Sequence, residues 1–264
     1  WKLGFGMNSH PQEGLALQLP KPIPTARGWK YQITSQKYTY IFFFGNGSCK
    51  IADVPDELNF TSSDRLHRIR QTHSDRCFQA SETTLSRVEW ERLPEGDALS
   101  SHSPNQALMI STADCIPLLV ADLRSERICA IHAGWRGIAN GITLKALSHA
   151  GLVGKDCIAF LGPHIRKSSF EIGLDVRDQL VSALATQTKE SPSQLIKELC
   201  GDHQPGKCLF DTTLAIRKQL LVGGLKNETI MDLNVDTFVD KSLHSFRRDQ
   251  TKQRLCSVIL MSPN

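Results

Sequence analysis

No apolar run in the 264-residue chain approaches the ~18–20 residues that would cross a membrane. Charge of one sign is equally scarce: 31 Lys+Arg stand against 27 Asp+Glu, a formal net charge of +4. The basic residues are scattered apart from small groups such as Arg65-Leu66-His67-Arg68-Ile69-Arg70 and Arg247-Arg248. A nucleic-acid binder would gather them on one face, so neither a membrane nor a nucleic acid is an expected partner. No internal repeat, linker or low-complexity tract breaks the chain, which argues against collagen, coiled coil and disorder. A glycine-rich phosphate loop ending in Lys-Ser/Thr is missing. So is the His-x-Glu plus Pro-Cys-x-x-Cys signature of zinc deaminases.

What is present is ordinary in bulk and informative in detail. Hydrophobic residues make up 40% and charged residues 22% of the chain, enough for one large domain or two small ones at ~100–200 residues each. Eight cysteines are present, several inside apolar runs. With no signal-peptide pattern, a reducing cytoplasm is expected, with most thiols acting as small core residues.

Residues 1–38, with His10-Pro11 and Leu19-Pro20-Lys21-Pro22-Ile23-Pro24, read as an irregular lead-in. Residues 39–264 then read as a single α/β domain with a mixed sheet. Thr39-Tyr40-Ile41-Phe42-Phe43-Phe44 has the look of a buried strand, and another is expected near Leu66–His73. Further strands are expected at 107–110, 116–121, 127–132, 157–161 and 257–261, with Asp122-Leu123-Arg124-Ser125-Glu126 closing a hairpin. Helical periodicity runs from Ile138 to Gly151, over about 174–187, and from Thr212 to Leu221 behind an Asp211 or Thr212 cap. The polar stretch 188–206 reads as a surface loop with a short helix.

Four segments carry the chemistry. Cys115 in Thr112-Ala113-Asp114-Cys115 and His132 in His132-Ala133-Gly134-Trp135-Arg136-Gly137 each sit at the end of an apolar run, where strand ends converge on a cleft. His73 in Gln71-Thr72-His73 is a third candidate. Two His and one Cys would leave a fourth position open on zinc, the arrangement of a catalytic site. The residues alone equally allow a Cys115 nucleophile with His132 as base, oriented by Asp114 or His73. Gly134-Trp135-Arg136-Gly137 at a strand-to-helix junction offers backbone N–H groups and Arg136 for an anion. In Ser245-Phe246-Arg247-Arg248-Asp249, adjacent arginines on a strand would point to opposite faces, so one at most would enter a given cleft.

Together these motifs resemble the polyphenol oxidase or laccase-domain family, also known as purine nucleoside phosphorylases or peptidoglycan editing factors. The resemblance is carried by Gln71-Thr72-His73, Asp97-Ala98-Leu99, Thr112-Ala113-Asp114-Cys115-Ile116-Pro117, His132 to Gly137, Gly162-Pro163 and Ser245 to Asp249. It departs where the usual Gly after the first ligand histidine is Ser74 and where a Cys-Thr pair is replaced by Asp236-Thr237. An N-terminal Thr-Arg pair is also missing, with Phe44-Gly45-Asn46-Gly47 in its neighbourhood. The resemblance implies a four-layer α/β/β/α fold, distantly shared with toxin deamidases, and zinc held by His73, Cys115 and His132.

It further implies phosphorolysis of adenosine, inosine or methylthioadenosine and deamination of adenosine, with a purine nucleoside and phosphate as small-molecule partners. In that scheme Asp114 shuttles protons during deamination. Phosphate is held by Arg136, Arg247 or Arg248 and by the helix start near Gly137. The oxidase name implies copper, although the nine histidines include no His-x-His pair, and one copper in a His₂Cys site is the form that reading can take. A further alternative is hydrolytic editing of a peptidoglycan precursor by Cys115 and His132.

Overall fold

The computed structural model describes residues 20–58, 65–152, 154 and 156–264. In chain order the strands are β1 (Ile23–Thr25), β2 (Gly28–Thr34), β3 (Tyr38–Gly45), β4 (Leu66–His67), β5 (Cys77–Gln79), β6 (Ala98–Ser101), β7 (Ala107–Thr112), β8 (Ile116–Asp122), β9 (Arg127–Ala133), β10 (Cys157–Leu161), β11 (Glu171–Gly173), β12 (Cys200–Gly201), β13 (Lys207–Phe210), β14 (Ile230–Asp232) and β15 (Leu255–Pro263). They form a six-stranded sheet in the order β1-β2-β3-β15-β7-β4, a second in the order β14-β10-β8-β9-β6-β5, and a small third sheet, β11-β13-β12. The helices are α1 (Val54–Leu58), α2 (Trp135–Ala139), α3 (Ile142–Ala150), α4 (Leu174–Thr188), α5 (Pro192–Leu199), α6 (Thr212–Val222) and α7 (Phe246–Asp249).

Side-chain alternation along the strands builds the layers. In β3, Phe42 and Phe44 face the second sheet, where the rings of Phe42 and Phe160 lie 4.2 Å apart, while Ile41 and Phe43 face the other way onto Val54 and Leu58 of α1. In β8, Leu119 and Ala121 join the core between the sheets. Its Leu118 and Val120 pack with Leu147, Leu180 and Leu220 of the helices. The result is the expected α/β/β/α stack in one α/β unit. Strands buried on both faces need no polar alternation, which is why 116–121 reads as an unbroken apolar run. Each fully buried Phe in this sandwich contributes about 1.5–3 kcal/mol of transfer free energy.

Local chemistry sets the element ends. The β8–β9 hairpin turns because Asp122 Oδ1 accepts from the N–H groups of Arg124 and Ser125 at 2.8 and 3.0 Å. The helical pattern after Gly134 is split in two: Gly141 takes a left-handed φ of 74° between α2 and α3, and Gly151 at φ 65° ends α3. Asp211 caps α6 through the N–H of Leu214.

Two expectations need correction. The lead-in is not irregular throughout: residues 1–19 lie outside the described residues, but β1 and β2 fall within 20–38 and extend the first sheet to its edge. The cue was Tyr31 and Ile33, which alternate with polar residues and are buried, and the neighbouring prolines and glycine obscured it. The strand expected near Leu66–His73 shrinks to the two residues of β4. Beyond it the backbone bonds to the 84–95 segment, with Arg68 N–H on Thr84 O and Arg70 N–H on Pro94 O.

Candidate metal centre

Cys115 and His132 are brought together by strand register. The ladder of β8 and β9 pairs Ile116 with Ala133 and Pro117 with His132, so the start of one strand lies beside the end of the other. β6 continues the register by pairing Ala98 with Ile131, and the His132 N–H bonds to Asp97 O at 2.8 Å. His73 has no strand to hold it; it sits in the loop between β4 and β5 with a left-handed φ of 59°. A backbone conformation of that kind costs about 1–3 kcal/mol and has to be imposed by surrounding contacts.

Those contacts are side chains. Gln71 mimics a strand partner: its Nε2 donates to Ser111 O at 2.7 Å, and its Oε1 accepts from Ser111 N at 2.8 Å. Asp97 takes the other side of the loop. Its fully buried carboxylate accepts from the N–H groups of Thr72, His73 and Ser74 at 3.3, 3.1 and 2.6 Å, from Ser74 Oγ at 2.6 Å, and from His132 Nδ1 at 2.7 Å. In the sequence Asp97 stands out only as part of Asp97-Ala98-Leu99. An acidic residue directly before a buried strand was the available signal.

The ligand atoms of His73, Cys115 and His132 all lie within 4.8 Å of one another. His73 Nε2 is 3.7 Å from Cys115 Sγ, and the two imidazoles meet edge to face at 4.8 Å. Gly134 forms the floor: a Cβ there would lie 2.7 Å from His73 Cδ2 and 3.1 Å from Cys115 Sγ. Only glycine leaves that space. Burial pushes the Cys115 thiol up, but the charge and hydrogen bond of His132 and those of His73 outweigh it and bring the group to about 6. Burial likewise opposes protonation of His132, and the Cys115 thiolate with the Asp97 carboxylate overrides it, raising the imidazole to about 9.

The other expected residues divide. Asp114, at φ 84°, accepts from Thr237 Oγ1 with one oxygen and from Arg247 N with the other, both at 2.6 Å. It ties the C-terminal segment to the centre instead of standing free as an acid or base. Thr237 belongs to the departing Asp236-Thr237 pair, and its hydroxyl supplies this tie. Arg247 and Arg248 lie on one turn of helix, α7, not on a strand. Arg248 donates to the carbonyls of Thr237, Phe238, Asp240 and Leu243 and to the Asp249 carboxylate, so its donors are spent on the fold. Arg247 is exposed, with its guanidinium 5.4 Å from the Phe170 ring and one bond to Glu171 O. Arg136 is exposed and stacks on Trp135 at 4.4 Å. Gly137 is the third residue of α2, which begins at Trp135, and it is buried where a Cβ would meet Ile142 Cγ2 at 3.1 Å. Close packing accounts for a glycine at this position.

A purine nucleoside phosphorylase of Pseudomonas aeruginosa is 32% identical over 177 residues, covering 67% of this chain and 69% of that protein. One of Aquifex aeolicus is 30% identical over 207 residues, covering 76% of this chain and 86% of its own. Among solved structures, YlmD from Geobacillus stearothermophilus superposes with a TM-score of 0.75 at 19% identity, over 92% of this chain and 99% of that one. The hypothetical protein YfiH of Bacillus licheniformis gives 0.73 at 20%, over 86% and 97%. At that level of identity the two structures speak to the fold, which they share. The family model described as multi-copper polyphenol oxidoreductase laccase matches residues 50–262, and the chain belongs to that family.

Proposed function

We propose that the chain is a zinc-dependent purine nucleoside enzyme that cleaves adenosine, inosine or methylthioadenosine with phosphate and also deaminates adenosine. The observation that carries this reading is the cluster of His73, Cys115 and His132, joined to relatives named as purine nucleoside phosphorylases. The donor set fits a metal. Two imidazoles and a thiol held near 6 converge over Gly134, and His132 donates a hydrogen bond from Nδ1–H to Asp97, so Nε2 is the nitrogen that would lose its proton to a metal. Zinc held by these three residues would supply Lewis-acid polarisation at its open position.

The chain's own groups do the positioning. Arg136 and Arg247 are exposed guanidiniums on segments adjoining the ligands, and they are assigned to phosphate. Asp114 fixes the backbone of Arg247. Arg248 keeps the 237–243 segment folded through its four carbonyl partners. Zinc-loaded protein incubated with adenosine and phosphate is expected to yield adenine, with inosine or hypoxanthine marking deamination. Cys115→Ala and His132→Ala are expected to abolish both. A folded, metal-bound protein that forms none of these products defeats the proposal.

A single copper in the same site is the second reading, favoured by the His₂Cys donor set, which suits copper(II) as well as zinc. Among the described residues no second cluster of three His, Cys, Asp or Glu side chains exists to hold further copper. Elemental analysis of protein purified without added metal separates the two readings.

A further inference from the structure

Five donors converge on the carboxylate of Asp97. Oδ1 accepts from His132 Nδ1 and His73 N; Oδ2 accepts from Thr72 N, Ser74 N and Ser74 Oγ. The residue is completely buried. One side chain therefore touches two of the three ligand-bearing segments: the end of β9 and the loop around His73. We propose that Asp97 is a positioning residue that sets both histidines of the centre, holding His132 with its proton on Nδ1 and holding the His73 loop in its left-handed turn. The inference rests on the metal reading above and adds to it which residue builds the site.

The geometry makes the claim specific to a carboxylate. An asparagine of the same shape has one acceptor oxygen and one NH₂ group. Turned one way, its NH₂ faces the N–H groups of Thr72 and Ser74 and the Ser74 hydroxyl, so the loop keeps an acceptor only for the His73 N–H. Turned the other way, its NH₂ faces His132 Nδ1 and His73 N. The imidazole must then carry its proton on Nε2, where no lone pair remains for a metal. The first orientation loosens the loop that carries His73, and the second turns His132 away from metal binding. Ser74 has a smaller share: its hydroxyl supplies one of the five bonds and touches the loop alone. Gln71 also acts on the loop alone, from the β7 side.

The test uses the full chain, with Zn²⁺ affinity measured by competition against a chromophoric chelator and the His132 ring followed by ¹H and ¹⁵N NMR in the same samples. Asp97→Asn is expected to weaken Zn²⁺ binding by about 10–100-fold and to remove or shift the low-field Nδ1 proton of His132. Ser74→Ala is expected to weaken binding by about 3–10-fold with the His132 signal unchanged, which separates the loop arm from the strand arm. This variant keeps the proposal testable if Asp97→Asn does not fold. A folded Asp97→Asn protein with wild-type Zn²⁺ affinity and an unchanged His132 signal overturns the proposal, and so does a Ser74→Ala protein that binds Zn²⁺ like the wild type. If the wild type takes up no Zn²⁺, it is the metal reading that fails; the Nδ1 proton signal in wild type and Asp97→Asn then decides the positioning role by itself.

Discussion

The β8–β9 hairpin and the His73 loop supply the same centre by opposite means. The hairpin places Cys115 and His132 through a backbone ladder of seven paired residues between two layers of core. The loop places His73 through the side chains of Gln71 and Asp97, against an unfavourable backbone torsion. A ladder is insensitive to any one side chain, whereas a loop held by two side chains depends on each. The first region is therefore a rigid half-site and the second an adjustable one.

The largest effect that can break this contrast comes from the ligands. Cys115→Ala and His132→Ala are expected to lower Zn²⁺ affinity by more than the ~10–100-fold typical of supporting residues, and His73→Ala is expected to cost less; Cys115→Ala should leave the urea denaturation of the metal-free protein nearly unchanged, whereas His132→Ala, which strips the buried Asp97 of a partner, should lower its midpoint. Equal losses for all three would erase the distinction. Gly134→Ala comes next: the added methyl would lie 2.7 Å from His73 Cδ2 and displace that ring, and about 10-fold weaker Zn²⁺ binding is expected.

A third test sharpens the electrostatic side. In metal-free protein, Cys115 is a thiolate above about pH 6, so iodoacetamide labelling should rise about tenfold from pH 5 to pH 7 and then level off. Cys129 and Cys157, raised by burial, should stay unlabelled in the same samples. A labelling midpoint near pH 8.5 would remove the His132 contribution.

Asp97 sets a pH limit on the folded state. Burial opposes its ionisation, but the hydrogen bonds from His132 and Ser74 prevail and hold the carboxyl below the usual range. A depressed folded value means that its stabilisation is complete above the unfolded value of ~3.9 and fades as the pH falls through the lower folded one. Urea midpoints should thus drop more steeply below pH 4 in wild type than in Asp97→Asn.

The smallest effects distinguish the two arginines. Arg248→Lys is expected to cost about 1–3 kcal/mol through lost carbonyl bonds. Arg247→Ala should change stability by no more than about 0.5 kcal/mol while raising the KM for phosphate.

What the sequence made legible follows the same division. Cys115 and His132 lie in continuous apolar runs, so their strands and the Asp122 turn between them could be read directly. His73 was legible only as a residue type in a pattern. The torsion that aims it, and Asp97 and Gln71 that impose it, are tertiary facts with no local period. The role of Arg248 was hidden for the same reason: an arginine that organises five carbonyl and carboxylate groups reads identically, in one dimension, to one that faces solvent. β1 and β2 were hidden because glycine and proline mark turns more loudly than two buried alternating residues mark an edge strand.

The floor at Gly134 bears on any attempt to move this centre elsewhere. Copying His73, Cys115 and His132 onto another α/β sandwich would transfer three side chains into a space already filled by an ordinary residue's methyl group. The transplantable unit is larger: a bare backbone position, one carboxylate, one amide and three ligands drawn from separate stretches of chain. A designer searching for hosts should therefore screen first for a vacancy beneath two adjacent strand ends, and only afterwards for places to put histidines.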